Sequence, residues 1–235
     1  MTAIILHLYY QDLWEEFKSK IIPLLNENVH LYITVNQYSD YVLDMQSIAK
    51  NVFIVKNKGT DFGPFVYIWN KIKDKSYKYV IKLHGKKSII STRKGYGDFW
   101  RNTLVDSIIS SPEKLQSIIY AMENYPNIFM AGSKKHFQTR ISEPESHCNR
   151  LDALNSIKKI CKYVKSDMHG CFFSGSMFLT TTNYLNLFFS DCNLDELYNE
   201  FEEYYASDGS LLSHGLERVI GYAVETHNGN FLLLE

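Results

Sequence analysis

Between Lys82 and Arg101 the sequence places six cations, Lys82, Lys86, Lys87, Arg93, Lys94 and Arg101, against one acid, Asp98. Such a stretch can hold a diphosphate and, where the diphosphate is a leaving group, stabilise its departure without a metal. It begins inside the segment "YKYVIKLHGKKS" (residues 77–88), an apolar alternation that turns into a cationic loop. A buried strand there would deliver His84, Lys86, Lys87 and Ser88 to its own carboxyl end, with Arg93 a little beyond. The same charges also suit a solvated loop. Nucleic acid is the competing polyanion, and a formal net charge of -1 ranks it lower, because attraction must come from a local patch.

Three further constellations carry chemistry. In "NKGTDFGPF" (residues 57–65), Asn57, Gly59, Asp61 and Gly63 lie between an apolar run and a helical one; glycines let backbone approach a ligand, and Asp61 can accept from a ribose hydroxyl or a base. Asp61 can equally cap the helix that follows. "FEEYYASDGSLLSHGLER" gathers Glu202, Glu203, Asp208, His214, Glu217 and Arg218. A helix starting near Asp208 puts Ser210, His214 and Glu217 on one face, opposite the leucines, and a carboxylate at the mouth of a crevice can serve as general base. The plainer reading makes Asp208 a helix cap and Glu217 with Arg218 a surface pair. In "FFSGSMFL" (residues 172–179), Ser174, Gly175 and Ser176 interrupt an apolar strand, marking a close approach or a bulge.

These residues need a frame. Residues 3–10, 30–36, 51–57 and 77–83 read as strands, separated by helical stretches at 11–26, 41–49 and 63–73. Four strands with three intervening helices imply parallel pairing through right-handed crossovers, and ligands of such sheets bind beyond the carboxyl ends of the strands. His7, Tyr9 and Thr34 then sit at strand ends near the loops carrying Asp61 and His84. Further on, residues 111–126 read as a helix started by Ser111 and Glu113, 127–133 as a strand, 134–149 as a polar surface loop, and 153–164 as a helix. Residues 170–181 read as a strand or hairpin, 183–189 as a short helix, and 207–225 as a final helix.

Composition narrows the class. At 235 residues and 45% hydrophobic content the chain is long enough for a substantial core. The four cysteines are far apart without zinc or redox spacing, and reduced cytosolic thiols are expected. The remaining histidines show no ligand spacing, so no metal site is assigned. No apolar run is long enough to span a bilayer, and the N-terminus does not read as a signal peptide. The chain starts at Met1 and ends at "NFLLLE" soon after the last helix, and a complete small protein working beside partners is the expectation.

Taken in order, "HLYYQDLWEEF", "NKGTDFGPF", "YKYVIKLHGKKS", "FWRNTLVDSI", "FSGSMFL" and "DGSLLSHGLER" resemble the rhamnan synthesis protein F family, proteins associated with building rhamnose-containing cell-surface polysaccharides. The resemblance implies a single α/β glycosyltransferase domain with a GT-A-like nucleotide-sugar-binding fold, a mostly parallel central sheet flanked by helices. Residues 1–100 would form the nucleotide-sugar half and 101–235 the acceptor and catalytic half. It implies a nucleotide-sugar donor, dTDP-rhamnose or similar, and a glycan or lipid-linked glycan acceptor. Other polysaccharide-assembly glycosyltransferases are expected partners, nucleic acid is not, and the location is cytoplasmic or peripheral at the inner face of the plasma membrane. This sequence departs from the family's commoner pattern with Thr60 for arginine and Gly85 for threonine.

Many GT-A enzymes hold a divalent metal with an Asp-x-Asp pair at the end of strand four, where this chain reads Lys82-Leu83-His84. The expectation is metal-independent, inverting transfer: His84, Lys86 and Lys87, with Arg93, bind the diphosphate, and no cofactor is needed. Asp208 is the expected base, with Glu203 and Glu217 in reserve and His214 beside them. Asp61 is placed near the nucleoside, and Trp100 and Arg101 orient the basic loop or the acceptor. Two other readings are a non-catalytic nucleotide-sugar- or glycan-binding module of a polysaccharide assembly complex, and a nucleic-acid-processing protein.

Overall fold

The computed structural model describes residues 1–87, 95–139, 150–204 and 210–235, and of Tyr96 and Arg150 the backbone alone. Its frame follows from short apolar runs that are buried on both faces. The first strand, β1 (Thr2–Leu8), is buried at every position, as a central strand must be when helices cover the sheet on both sides. It pairs in parallel with β2 (Val29–Val35) and with β4 (Tyr79–His84), while β2 pairs in parallel with β3 (Asn51–Ile54). Beyond β4 comes β8 (Phe178–Thr181), antiparallel to both neighbours, then β5 (Ile128–Ser133) and β9 (Asn230–Leu234). The seven-stranded sheet has the order β3-β2-β1-β4-β8-β5-β9.

Strand parity splits the core in two. Ile4, Leu6 and Leu8 meet α1 (Trp14–Ile21), α2 (Tyr41–Ile48), α4 (Tyr96–Ile109) and α5 (Pro112–Asn124). Ala3 and Ile5 face the layer of α3 (Phe62–Ile72), α6 (Arg150–Ile160), α7 (Thr182–Phe188), α8 (Leu194–Glu200) and α9 (Leu212–Thr226). The same parity sends His7, after Ile5, and Lys82 and His84, after Val80, to the α3 side. The architecture is α/β, a mostly parallel sheet flanked by helices, as the sequence led one to expect. Among the described residues no helix is long and apolar enough to cross a membrane.

Several boundaries differ from the sequence reading. The helix expected over 11–26 is broken: a tight turn at Gln11–Leu13 precedes α1, and Ile22–Leu24 tighten again around Pro23, which lacks the donor a continuing helix needs. Segment 170–181 is two strands in different sheets. β7 (Phe172–Phe173) pairs with β6 (Phe137–Gln138), and a turn at Ser174–Ser176 leads into β8. The last helix begins at Leu212, not near Asp208, because the Glu202 carboxylate accepts the Leu212 N–H at 3.0 Å and supplies the cap. Helices α4 and α8 and strand β9 were not expected. Ser111 does cap α5, accepting from the Lys114 N–H at 3.2 Å.

Candidate functional site

At the carboxyl edge of the sheet, in-register neighbours on three parallel strands, Thr34, His7 and His84, form one polar row on the α3 side. His7 Nδ1 and Thr34 Oγ1 are 3.0 Å apart. Two residues deeper on β4 lies Lys82, its side chain 1% exposed and its ammonium 4.2 Å from the centroid of the Phe62 ring. A buried ammonium requires a counter-charge and acceptors. Lys82 Nζ donates to Asp61 Oδ2, and to the Ser176 carbonyl at 2.9 Å. Ser176 Oγ also donates to Asp61 Oδ2, at 2.5 Å, and Thr60 Oγ1 donates to Oδ1 at 3.2 Å. His84 Nδ1 lies 3.6 Å from the same Oδ2.

The electrostatics follow from this packing. Burial alone would raise the Asp61 carboxyl, but the Lys82 ammonium and the hydrogen bonds from Lys82 and Ser176 outweigh it, holding Asp61 ionised well below the usual carboxylate range. Burial pushes His84 down to about 3, against the opposing pull of Asp61, and pushes His7 down to about 4. Both rings are therefore neutral at neutral pH. His84 was expected to lend charge to a diphosphate; it can offer a hydrogen bond but no charge.

These two imidazoles set an acid limit on the fold. Their folded pKa values lie below the ordinary 6.5, so as pH falls the unfolded chain takes up protons first. Their contribution is fully present above about pH 6.5 and is lost progressively toward the folded values. Between pH 7 and pH 5 the unfolding free energy should drop by roughly 2 kcal/mol per ring. Urea unfolding of the wild type, His7→Gln and His84→Gln at the two pH values checks this, and a wild type with equal stability at both would refute it.

The cationic turn after β4 is partly spoken for. Lys87 Nζ pairs with Asp12 and lies 5.6 Å from the centroid of the Tyr10 ring, so its charge is compensated within the fold. Lys86 Nζ sits 4.3 Å from the Trp100 ring centroid, and among the described residues no carboxylate lies within salt-bridge distance of it. Trp100 in turn stacks on His136 at 5.3 Å. Arg101 is 2% exposed and forks onto Glu16 at 3.0 and 2.6 Å, reaches Asp98 at 2.8 Å, and donates to the Lys86 carbonyl. It thus ties α1, α4 and the cationic turn together; enclosed in this way, its guanidinium is a fixing point for the turn. Ser88 and Arg93 lie outside the described residues.

At the same sheet edge the two halves of the chain are laced together. Gly59 (φ +60°) donates its N–H to the Glu202 carbonyl at 2.9 Å, and the space a side chain would fill there is occupied by the Phe201 ring. A Cβ at Gly63 would strike the Lys58 carbonyl. Both glycines are accounted for by internal packing, where the sequence suggested approach to a ligand. Asn57 is exposed, Tyr9 is exposed beside Tyr10, and Glu203 is exposed at 3.9 Å from Lys56 and 4.0 Å from Lys58.

Gly175, at φ +89°, is the third residue of a four-residue turn closed by Ser176 N–H on the Phe173 carbonyl, the place where a type II turn favours glycine. Ser174 Oγ donates to the His136 carbonyl at 3.0 Å. Glu217 accepts the Gly175 N–H at 2.7 Å, so the carboxylate held in reserve as a base anchors the turn that carries Ser176. Arg218 packs on the Phe172 ring, and the His214 carbonyl accepts from it. Asp208 lies outside the described residues.

Sequence reasoning counted Lys82 only among the cations of a loop. The signal was in its parity: a lysine at an inward position of a strand buried on both faces must find an anion. Nothing in the local sequence flagged Ser176 as that anion's second donor, or Glu202 as the cap of α9.

The family model of rhamnan synthesis protein F matches residues 1–228. Among curated proteins the chain is similar to an uncharacterized protein, WxcX, of Xanthomonas campestris pv. campestris, in strain B100 and in a second strain, at 26% identity over 236 residues in each. The match takes in 97% of this chain and 32% of that protein, so the chain spans about a third of the length of these relatives. Among solved structures it is similar to core-mannan synthase A of Aspergillus fumigatus in a Mn/GDP form, with TM-score 0.45 and 12% identity over 95% of this chain and 71% of that one. A likeness of that size carries no conclusion about this chain.

Proposed function

This chain belongs to the rhamnan synthesis protein F family, and from that premise we propose that it is a glycosyltransferase domain of polysaccharide synthesis. It transfers rhamnose or a related sugar from a nucleoside diphosphate donor, dTDP-rhamnose among the candidates, to a growing glycan on the cytoplasmic side. The fold is of GT-A type, with the donor in the first hundred residues and the acceptor over the second half. The observation that carries the reading is the gathering of two chemically opposite groups at one sheet edge. One is the ionised Asp61, held by Lys82 near the end of β4, and the other is the Lys86 turn that follows β4, fixed by Arg101.

The transfer is a single inverting displacement. Asp208 takes the proton of the acceptor hydroxyl, the oxygen attacks the anomeric carbon, and the bond to the diphosphate breaks with its charge received by the cationic turn. Lys86 supplies that charge, with Arg93 from the adjoining segment, while neutral His84 can offer a hydrogen bond. A divalent ion does not fit the end of β4. The residues there are Lys82, whose ammonium would repel it, and His84, and among the described residues the carboxylate beside them, Asp61, is already held by Lys82.

The test is transfer or donor hydrolysis with a panel of nucleotide sugars in excess EDTA. Turnover is expected to persist at the rate seen without chelator. Strict dependence on added manganese or magnesium would refute metal independence, and absence of turnover with any donor and acceptor would refute the enzyme reading.

A further inference from the structure

Asp61 is held in an unusual manner for a carboxylate at the edge of a sheet. Oδ2 takes two donors from opposite halves of the chain, Lys82 on β4 and Ser176 on the turn before β8. Two non-glycine residues of this corner have left-handed backbone, Thr60 at φ +50° and Ser176 at φ +51°. For a β-branched threonine that conformation is strained, and strain of this kind persists where the surroundings enforce it, often at binding sites. Two imidazole nitrogens of the same corner, His7 Nε2 and His84 Nδ1, are buried and make no hydrogen bond to any described residue, in residues only 4% and 8% exposed. The corner is polar, rigid and incomplete.

We infer that Lys82 and Ser176 are positioning residues of the donor site: they fix Oδ2 of Asp61 so that Oδ1, beside the Thr60 hydroxyl, is presented as an anionic acceptor for a hydroxyl or N–H group of the donor's nucleoside or sugar. A permanently ionised carboxylate repels phosphate and takes a neutral donor group. The sheet edge is thereby divided: the Asp61 corner reads the uncharged parts of the donor, and the Lys86 turn takes the diphosphate. The inference rests on the transferase reading for the identity of its ligand.

The groups that face Asp61 are Lys82 and His84 from β4, His7 from β1, Thr60 from its own loop and Ser176 from the β7–β8 turn. Lys82 is itself influenced by Glu217 and Lys86. Removing one hydrogen bond to Oδ2 loosens the hold on the carboxylate that Lys82 and Ser176 share, and donor binding at neutral pH should weaken with it.

Ser176→Gly is the variant of choice, because glycine accepts φ +51° without strain and only the small hydroxymethyl group is lost. Binding is measured by calorimetry with UDP-, GDP- and dTDP-sugars and with inorganic pyrophosphate. The Kd for the nucleotide sugar that binds wild type should rise about tenfold, the scale of one charge-assisted hydrogen bond. Pyrophosphate binding should stay at the wild-type value. Unchanged donor binding in a folded Ser176→Gly protein, or an equal loss for pyrophosphate, would overturn the inference and leave the transferase reading standing. A wild type that binds none of the nucleotide sugars would instead overturn the transferase reading, and this inference with it.

Discussion

Lys82→Met is expected to destabilise the fold by about 3–5 kcal/mol, because it leaves the Asp61 carboxylate without its counter-charge in a largely buried site. Methionine matches the length of the lysine stem and fits among Phe62, Phe65 and Phe178, whose ring centroids lie 4.2, 5.8 and 6.0 Å from the ammonium, so lost packing contributes little. The loss is electrostatic and should depend on pH. In the wild type the Asp61 carboxyl is depressed, so the pair's contribution is present above the ordinary carboxylate range and disappears as acid protonates the group. Without Lys82, burial dominates and raises the carboxyl above its unfolded value, so the penalty grows as pH rises and is largest near neutrality.

Adding Asp61→Asn to Lys82→Met should restore most of the lost stability, since a neutral amide can still accept from Ser176 and no charge remains buried. Buried ion pairs replaced by neutral groups of similar size are often no less stable than the original. Urea unfolding of the two single variants and the double variant forms a cycle whose coupling energy should be several kcal/mol, above the roughly 0.5–3 kcal/mol typical of contacting residues. Additive single effects would show that Lys82 and Asp61 do not act as a pair. A double variant as stable as wild type that no longer binds donor would separate the two reasons for retaining the pair. The fold would not require it, and the site would.

What was legible in the sequence divides along physical lines. The first half was readable because each strand is a short apolar run flanked by polar turns, and parallel pairing follows from alternation with helices, whereas the order β3-β2-β1-β4 comes from the structure. Helix α4 was hidden because its buried face, Leu104, Val105, Ile108 and Ile109, starts behind Arg101, a buried cation that reads as surface until Glu16 is placed against it. Helix α8 had a readable start, Asn193 accepting from the Asp195 and Glu196 N–H groups, but only seven residues in which to show a period.

The site was less legible for a different reason. Asp61 and Lys82 are 21 positions apart, and Ser176 is 115 from Asp61, separations at which spacing says nothing. Only the crossover topology and the turn at Gly175 bring them together. The glycines of "NKGTDFGPF" misled because close approach by the Phe201 ring and by the Lys58 carbonyl demands the same residue as close approach by a ligand.

Asp208→Asn should lower kcat by about 10²–10⁴-fold, the usual contribution of a general base, while the donor Kd stays within about twofold of wild type. The described flanks of its segment give the reason to look there. Before it, the Glu202 carbonyl accepts the Gly59 N–H at 2.9 Å and Phe201 packs against Gly59; after it, the Leu212 N–H is held by the Glu202 carboxylate at 3.0 Å. One residue therefore ties both ends of the segment to the loop that carries Asp61. The other candidate carboxylates are differently engaged, Glu217 by the Gly175 N–H and Glu203 near Lys56 and Lys58. Glu203→Gln should leave kcat close to wild type, whereas Glu217→Gln should act chiefly on donor affinity, through the turn that carries Ser176. Single-turnover measurement with saturating donor separates the three, because only loss of the base slows the chemical step once the donor is bound. Wild-type turnover in Asp208→Asn would remove that residue from the mechanism. A collapse of kcat in Glu217→Gln with donor affinity intact would move the base to α9.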